Sequence, residues 1–247
     1  MAKIFITGSA DGLGLLTAKA LIAQGHHVIL HARNEKRAQE ALHKVSGAES
    51  VLTADLGSIQ QIKQLASKVN ALGEFDAVIH NAGVYEASGE ETFIVNTLAP
   101  YILTCLIQKP KRLIYLSSDM HLVGRSKLES FKTDTSHITY SDSKLHVLML
   151  CKAVARKWPD VYANAINPGW VPTKMGGPGA PDDLKKGYET QVWLAVSDDK
   201  KAKISGHYFF HQKENRYNPE TDDVLLQEQF LNICEEITEI SFPEGEV

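Results

Sequence analysis

Cysteine and surplus basic charge are both scarce in this 247-residue sequence. Its 3 cysteines, Cys105, Cys151 and Cys234, form no Cys-x-x-Cys pair. A disulfide framework or a zinc site built on such pairs is therefore not indicated, and we expect reduced, buried thiols. The formal net charge is -4, with lysine and arginine scattered along the chain. This distribution argues against nucleic acid as a partner.

Long hydrophobic runs are also missing. No apolar stretch reaches the roughly 18 residues of a membrane helix, and no signal peptide is recognisable. The sequence contains no His-Glu-x-x-His motif, and the pair His207 and His211 has no matching cysteine or carboxylate ligands. We therefore expect a cytoplasmic protein with no metal site and no membrane partner.

What the sequence does contain is an alternation of short apolar runs with helix-like segments. Strands are predicted near residues 3–6, 27–31, 51–53, 76–80, 112–117, 161–167 and 206–211. Helices are predicted near residues 13–24, 34–45, 58–71, 90–108, 140–158, 182–196 and 222–240, with an interruption at Pro100. Apolar strands without alternation are typical of parallel sheets covered on both faces. We predict one α/β domain over residues 1–247, a doubly wound, Rossmann-type parallel sheet of about seven strands with helices on both faces.

A glycine-rich turn, Thr-Gly-Ser-Ala-Asp-Gly-Leu-Gly, follows the first predicted strand at residues 7–14. Glycines let a backbone approach a pyrophosphate closely, and the following helix presents free N–H groups. The spacing of Gly8, Gly12 and Gly14 differs from the common Gly-x-Gly-x-x-Gly fingerprint. A tight turn without a ligand would explain these three glycines equally well.

The loop after the second predicted strand distinguishes between dinucleotides. An acidic residue here would bind ribose hydroxyls, whereas an arginine would bind a 2′-phosphate. The chain has Ala32 and Arg33, with no acid. The planar donor fork of arginine suits phosphate, so NADP(H) is favoured over NAD(H). A solvated surface charge is the alternative interpretation of Arg33.

Tyr140 and Lys144 lie four residues apart at the start of a predicted helix, so both side chains can face one pocket. An unperturbed tyrosine has a pKa of about 10. A nearby ammonium favours the phenolate, and we expect it to lower that pKa. The tyrosine would then donate a proton to a carbonyl or accept one from an alcohol. The same spacing also occurs by chance in many helices.

The ordered set of motifs resembles the short-chain dehydrogenase/reductase family, from Lys3 to about His211, and most closely its retinol-dehydrogenase-like and carbonyl-reductase-like branch. The set comprises Thr-Gly-x3-Gly-x-Gly, Asp55-Leu56, Asn81-Ala82-Gly83, Asn96, Ser118, Tyr140-x3-Lys144 and Pro168-Gly169.

The resemblance implies catalytic roles for four residues. Tyr140 would be the general acid/base, and Lys144 would lower its pKa and bind the nicotinamide ribose. Ser118 would bond the substrate oxygen, and Asn96 would help to hold a water of the proton relay. The implied cofactor contacts, besides Tyr140 and Lys144, are Gly8, Ser9, Gly12, Leu13, Gly14, Arg33, Asp55, Leu56, Asn81, Ala82, Gly83, Pro168, Val171 and Thr173.

We therefore expect an NADP(H)-dependent oxidoreductase that moves a hydride between the nicotinamide and a carbonyl or alcohol. A hydrophobic small molecule is the expected substrate, because the residues expected to border the nicotinamide are mostly apolar or aromatic. They are Val84, Tyr85, Met120, Leu122, Trp170 and Met175. The loop from Gly176 to Pro181 is a candidate lid.

Other readings stay open. Two alternatives to this activity are an NAD(H)-preferring alcohol dehydrogenase and a non-catalytic NADP(H)-binding sensor or scaffold. A homodimer or a homotetramer would be compatible with the resemblance. The final helix would pack against its own domain or against a partner subunit.

Overall fold

The computed structural model describes residues 1–126, 128–129 and 134–244, and an eight-stranded sheet lies at its centre. The strands are β1 (Lys3–Ile6), β2 (His27–Ala32), β3 (Ser50–Thr53), β4 (Ala77–His80), β5 (Arg112–Leu116), β6 (Tyr162–Asn167), β7 (Tyr208–Phe210) and β8 (Lys213–Glu214). Their spatial order is β3-β2-β1-β4-β5-β6-β7-β8. All neighbours are parallel except the last pair, β7 and β8.

Helices cover both faces of this sheet. They are α1 (Gly12–Ala23), α2 (Glu35–Lys44), α3 (Ile59–Ala71), α4 (Gly89–Phe93), α5 (Ala99–Leu106), α6 (Tyr140–Lys157), α7 (Leu184–Val196) and α8 (Val224–Thr238). Buried side chains of α1, α2 and α7 form one core with the sheet, and those of α3, α5, α6 and α8 form the other. The predicted doubly wound α/β fold is confirmed.

The central strands are buried on both faces, which explains their unbroken apolar sequence. Ile4, Phe5 and Ile6 of β1 have no exposed surface, and Val78 of β4 is 1% exposed. The chain leaves β1 toward β2 on one side, whereas β4 continues toward β5 on the other. The carboxyl ends of β1 and β4 therefore flank the crevice in which ligands of such sheets bind.

Two details of the prediction were wrong. Pro100 does not end the helical segment, which runs without a break from α4 to α5. It lies in the first turn of α5, directly after the π-helical turn Ile94–Leu98 that joins the two helices. The eighth strand was not predicted, since Lys213 and Glu214 are exposed and carry no apolar pattern.

The final helix, α8, packs against its own chain. Phe230 and Cys234 are buried, and the Phe230 ring lies 5.7 Å from the His146 ring of α6. The Tyr101 hydroxyl donates a hydrogen bond to the Ile240 carbonyl just beyond the helix. All three cysteines are buried free thiols, as expected. Among the described residues, no helix has both the length and the apolar character required to cross a bilayer.

Candidate active site

A cavity of about 360 Å³ opens at the carboxyl ends of β1 and β4. It brings together most residues that the sequence nominated for cofactor binding and catalysis. Those lining it are Gly8, Gly12, Leu13, Arg33, Asp55, Leu56, Asn81, Ala82, Gly83, Tyr140, Lys144, Pro168 and Thr173. Residues more than 150 positions apart in the sequence thus line one crevice. Among the described residues, no three histidine, cysteine, aspartate or glutamate side chains are grouped to hold a metal ion.

The glycine-rich turn leaves room for a ligand at the start of α1. Gly8 has a φ of 63°, and a Cβ there would lie 2.8 Å from Ala82 Cα. Gly12 has a φ of 55°, and a Cβ there would meet only Thr173 Cγ2, at 4.0 Å. Only glycine combines this conformation with close packing at the first position and open space at the second. The helix N-terminus and the open turn therefore fit a pyrophosphate.

Five nominated residues lie outside the cavity lining. Ser9 is fully buried, donates from Oγ to the Ile6 carbonyl and accepts there from the His31 N–H. The Ser9 hydroxyl is therefore committed to backbone groups of the protein, and the expected cofactor contact of Ser9 would have to come from its backbone. Gly14 is packed against Asn81, because a Cβ there would lie 2.4 Å from Asn81 Nδ2. Val171 is 4% exposed and belongs to the packed base of its loop.

Asn96 is the fourth residue outside the lining, and its side chain is fully engaged. It lies in the π-helical turn and is 1% exposed. Its amide exchanges hydrogen bonds with both backbone groups of Val84, at 2.8 and 3.0 Å, and donates to Ser143 Oγ at 3.0 Å. Ser143 Oγ donates in turn to the Tyr140 carbonyl at 2.7 Å. The Asn96 side chain thus links the loop after β4 to the start of α6.

Ser118 is the fifth, and its neighbour Ser117 reaches the cavity in its place. Ser117 Oγ is buried and donates to the Lys144 carbonyl at 2.9 Å. Ser118 is half-buried and begins the 3-10 turn Asp119–Val123, where its Oγ accepts from the Met120 N–H at 3.3 Å. Because the hydroxyl proton of Ser117 is committed to a backbone carbonyl, Ser118 is the better donor to a ligand.

His31 is a supporting residue that the sequence analysis missed. It is 3% exposed at the end of β2. The Gly8 N–H donates to its Nδ1 at 3.0 Å, and its Nε2 lies 3.0 Å from the Ala54 carbonyl. Since Nδ1 accepts, Nε2 must carry the proton. A neutral imidazole therefore fixes the glycine turn to the end of β3. The only signal in the sequence was a titratable residue near the carboxyl end of a buried strand.

Acid should break this support. Burial lowers the pKa of His31 to about 4, from 6.5 in an unfolded chain. Stability from neutral His31 is present above pH 6.5 and is lost as the pH falls toward 4, by about 3 kcal/mol in total. Urea unfolding of wild type and His31→Gln at pH 7 and pH 4.5 tests this. Because His80 and His146 are also buried, only the difference between the two proteins is diagnostic. A pH-independent difference would contradict the expectation.

Charged side chains surround the end of the cavity at which Arg33 and Asp55 lie, called here the adenosine end because the resemblance implies adenosine contacts for these residues. Arg33 Nε lies 3.8 Å from Asp55 Oδ2, and both side chains are partly exposed. Asp11 within the glycine turn accepts from Arg37 at 3.0 Å and from Lys174 at 2.5 Å. The bond from Lys174 is the largest cause lowering the pKa of Asp11 to about 2. Two cations therefore offset the negative charge of Asp11, which would oppose a phosphate bound at the glycine turn.

Tyr140 and Lys144 lie together at the other end of the cavity. Lys144 is 4% exposed, and its Nζ donates to the Leu116 carbonyl at 2.8 Å. The same Nζ lies 5.2 Å from the centre of the Tyr140 ring. A Cβ at Gly83 would lie 3.4 Å from Lys144 Nζ and 3.3 Å from Asn96 Oδ1, so the glycine leaves room for both side chains. A phenol and an ammonium therefore share one buried corner.

The expected direction of the Tyr140 pKa shift is wrong for this structure. Burial, with a smaller effect of Tyr85, raises the pKa of Tyr140 to about 12. Burial also lowers the pKa of Lys144 to about 8. Desolvation disfavours both charged forms and is the largest cause of both shifts. Tyr140 therefore carries its proton throughout the neutral range.

Large apolar side chains are exposed around this corner. The Tyr85 ring lies 5.0 Å from the Tyr140 ring in an edge-to-face contact and is 45% exposed. Met175 lines the cavity and is 48% exposed, and Trp170 is 61% exposed. The Trp170 indole N–H donates to the Gly176 carbonyl at 2.7 Å, which ties it to the candidate lid. Of the three, Met175 borders the cavity directly and Tyr85 packs on the Tyr140 ring.

Comparison with known proteins identifies the family of the chain. The short chain dehydrogenase model matches residues 2–183 of the chain. An uncharacterized oxidoreductase of Emericella nidulans is 44% identical over 258 residues, covering 99% of this chain and 100% of that protein. Retinol dehydrogenase 14 of Mus musculus is 27% identical over 282 residues, covering 94% of this chain and 84% of that protein.

Solved structures share the fold at lower identity. An uncharacterized protein from Mycobacterium Paratuberculosis superposes with a TM-score of 0.83 and 23% identity, covering 98% of this chain and 95% of that one. A blue fluorescent protein from a metagenomic library, crystallised in complex with NADPH, has a TM-score of 0.70 and 18% identity, covering 84% of this chain and 95% of that one.

Proposed function

Because the chain belongs to the short-chain dehydrogenase family, in its retinol-dehydrogenase-like branch, we propose that it is an NADP(H)-dependent reductase of hydrophobic carbonyl compounds. The observation that carries the proposal is the cavity itself. One crevice holds a glycine turn at a helix N-terminus, an arginine at the adenosine end, and Tyr140 beside Lys144 at the opposite end. The groups that would bind and orient a cofactor thus lie at different positions along the crevice from the group that would transfer a proton.

The chain's own residues would hold the cofactor along this crevice. Gly8, Gly12 and the N-terminus of α1 would face the pyrophosphate, and Arg33 would face the 2′-phosphate. Asp55 and Leu56 would border the adenine, and Thr173 the nicotinamide end. All of these residues line the cavity. The bound nicotinamide supplies the hydride; the protein supplies its orientation and the proton.

The proton would come from Tyr140. Its phenol is protonated at neutral pH, so it can donate directly to a developing alkoxide. Lys144, which is buried and donates a hydrogen bond to the Leu116 carbonyl, would bind the nicotinamide ribose. Ser118 would donate a hydrogen bond to the same substrate oxygen while keeping its proton, and Asn96 would keep the loop after β4 in register with α6.

The substrate proposal follows from the exposed apolar side chains near the cavity. Tyr85, which packs on the Tyr140 ring, and Met175, which lines the cavity, both expose large hydrophobic surfaces. A ligand with apolar surface next to its carbonyl would bury that surface against them. The segment 176–181 would close over it, with Trp170 as the attached side chain.

The test is direct. Purified protein is titrated with NADPH and NADH, and the loss of reduced-cofactor absorbance is followed with hydrophobic aldehydes, ketones and quinones. We expect tighter binding of NADPH and turnover of at least one compound. NADPH binding without turnover in either direction, on the panel and on matching alcohols with NADP⁺, would instead favour the sensor function.

A further inference from the structure

One buried carboxylate, that of Asp142, joins the segment after Ser118 to the first turn of α6. It is 1% exposed and lies midway between Tyr140 and Lys144 in sequence. Its Oδ1 accepts from the backbone N–H of Arg125 at 2.8 Å and from Arg125 Nε at 3.2 Å. Its Oδ2 accepts from the Arg125 guanidinium at 2.6 Å and from the Thr139 N–H at 2.9 Å. Four donors therefore converge on one side chain.

The same two elements also touch at Gly124. A Cβ there would lie 2.6 Å from the Ser141 carbonyl oxygen and 2.9 Å from Leu145 Cβ. The bare backbone of Gly124 therefore packs directly on the helical turn that carries Tyr140. Its N–H donates to the His121 carbonyl, which closes the 3-10 turn that Ser118 begins. The segment that begins at Ser118 is therefore packed closely against the start of α6.

The pair keeps its charges at physiological pH. Burial by itself would raise the pKa of Asp142, but the hydrogen bonds from Arg125 and Thr139 lower it to about 2. The bond to Asp142 raises the pKa of Arg125. Removing one partner would leave the other charge poorly compensated, and for Asp142 that charge is buried.

We propose that Asp142 and Arg125 are a positioning pair, which sets the separation between the Ser118 hydroxyl and the Tyr140 phenol about the reacting carbonyl. The inference rests on the proposed function, since those two hydroxyls must act on one oxygen atom. Neither member of the pair lines the cavity. Displacing a reacting group by about 1 Å can cost ~100-fold in rate. The pair therefore acts on the transfer step and leaves cofactor affinity unchanged.

Arginines at the two ends of α6 provide a matched test. Arg125→Ala breaks the pair at the N-terminal end, and Arg125→Lys retains one charged donor. Arg156→Ala is the control, because Arg156 bonds Gln227 and Glu228 at the far end of the same helix. Each protein is compared by single-turnover hydride transfer from NADPH to the best carbonyl of the panel, by NADPH affinity and by thermal unfolding.

We expect Arg125→Ala to slow transfer by about 10- to 100-fold with NADPH affinity unchanged. Arg125→Lys should recover part of the rate, and Arg156→Ala should keep the wild-type rate. A wild-type rate in folded Arg125→Ala, or an equal loss in Arg156→Ala, would overturn the proposal. Asp142→Asn, which keeps the side-chain shape, is a second route if Arg125→Ala does not fold. Absence of transfer in the wild-type protein would refute the proposed function itself, so the two failures are distinguishable.

Discussion

Tyr140→Phe should reduce turnover by about 100- to 10,000-fold while NADPH affinity stays near that of wild type. The change removes one oxygen atom and keeps the ring that packs edge-to-face on Tyr85. Only the proton donor is lost, because Lys144 holds its place through the Leu116 carbonyl and not through the phenol. Steady-state oxidation of NADPH with the best carbonyl substrate measures the loss, and fluorescence titration measures the affinity.

Tyr85→Phe is the matched control. It removes a phenol oxygen from the partner ring of the same contact, at a residue that is 45% exposed. We expect this variant to keep most of its turnover. Comparable losses in the two variants would mean that removing either hydroxyl group from this ring pair lowers turnover, so that the loss could not be assigned to the Tyr140 proton. Substantial turnover in Tyr140→Phe would rule out Tyr140 as the general acid.

The raised pKa of Tyr140 bears on the direction of the reaction. A phenol with a pKa of about 12 is protonated at neutral pH and ready to act as an acid. Alcohol oxidation needs the phenolate, which becomes accessible only as the pH rises. At neutral pH Tyr140 is therefore in the form that carbonyl reduction requires, whatever the cellular cofactor ratio, which sets the net direction.

The sequence predicted the fold and the cavity well because both depend on local patterns. Unalternating apolar runs such as Ala77–Ile79 indicate strands covered on both faces, and Gly8 and Gly12 mark the turn between a strand and a helix. Parallel strand order then brings the loops to one edge. Thirteen of the nominated residues line one cavity for this reason, although they are spread from Gly8 to Thr173.

What the sequence did not predict is how these groups are supported. His31 fixes the glycine turn, Lys174 reaches Asp11, and Asp142 pairs with Arg125. Each contact joins residues between 17 and 163 positions apart, and no local spacing encodes it. The charge state of Tyr140 was not predicted correctly for a related reason. Proximity to Lys144 suggested a lower pKa for Tyr140, but burial raises that pKa, and burial depends on the complete fold.

Arg33→Asp should weaken NADPH binding by about 10- to 100-fold and leave NADH binding unchanged or stronger. Arg33 lines the adenosine end of the cavity, and its ion pair with Asp55, at 3.8 Å, is long and solvent-exposed. Its guanidinium is therefore available to a 2′-phosphate. The substitution removes that donor fork and places a second carboxylate beside Asp55, which repels a phosphate but can accept from ribose hydroxyls.

Lys36→Asp controls for the change in overall charge. Lys36 is exposed in the same loop-to-helix region but does not line the cavity. It undergoes the same change of charge, so any loss of NADPH affinity that it shows reports long-range attraction, which added salt should screen. The loss in Arg33→Asp beyond that of Lys36→Asp measures the local contact. Equal weakening of NADPH and NADH by Arg33→Asp would contradict a 2′-phosphate role, because the two cofactors differ only in that group. A selective loss of NADPH would place the source of cofactor preference in one side chain at the end of β2.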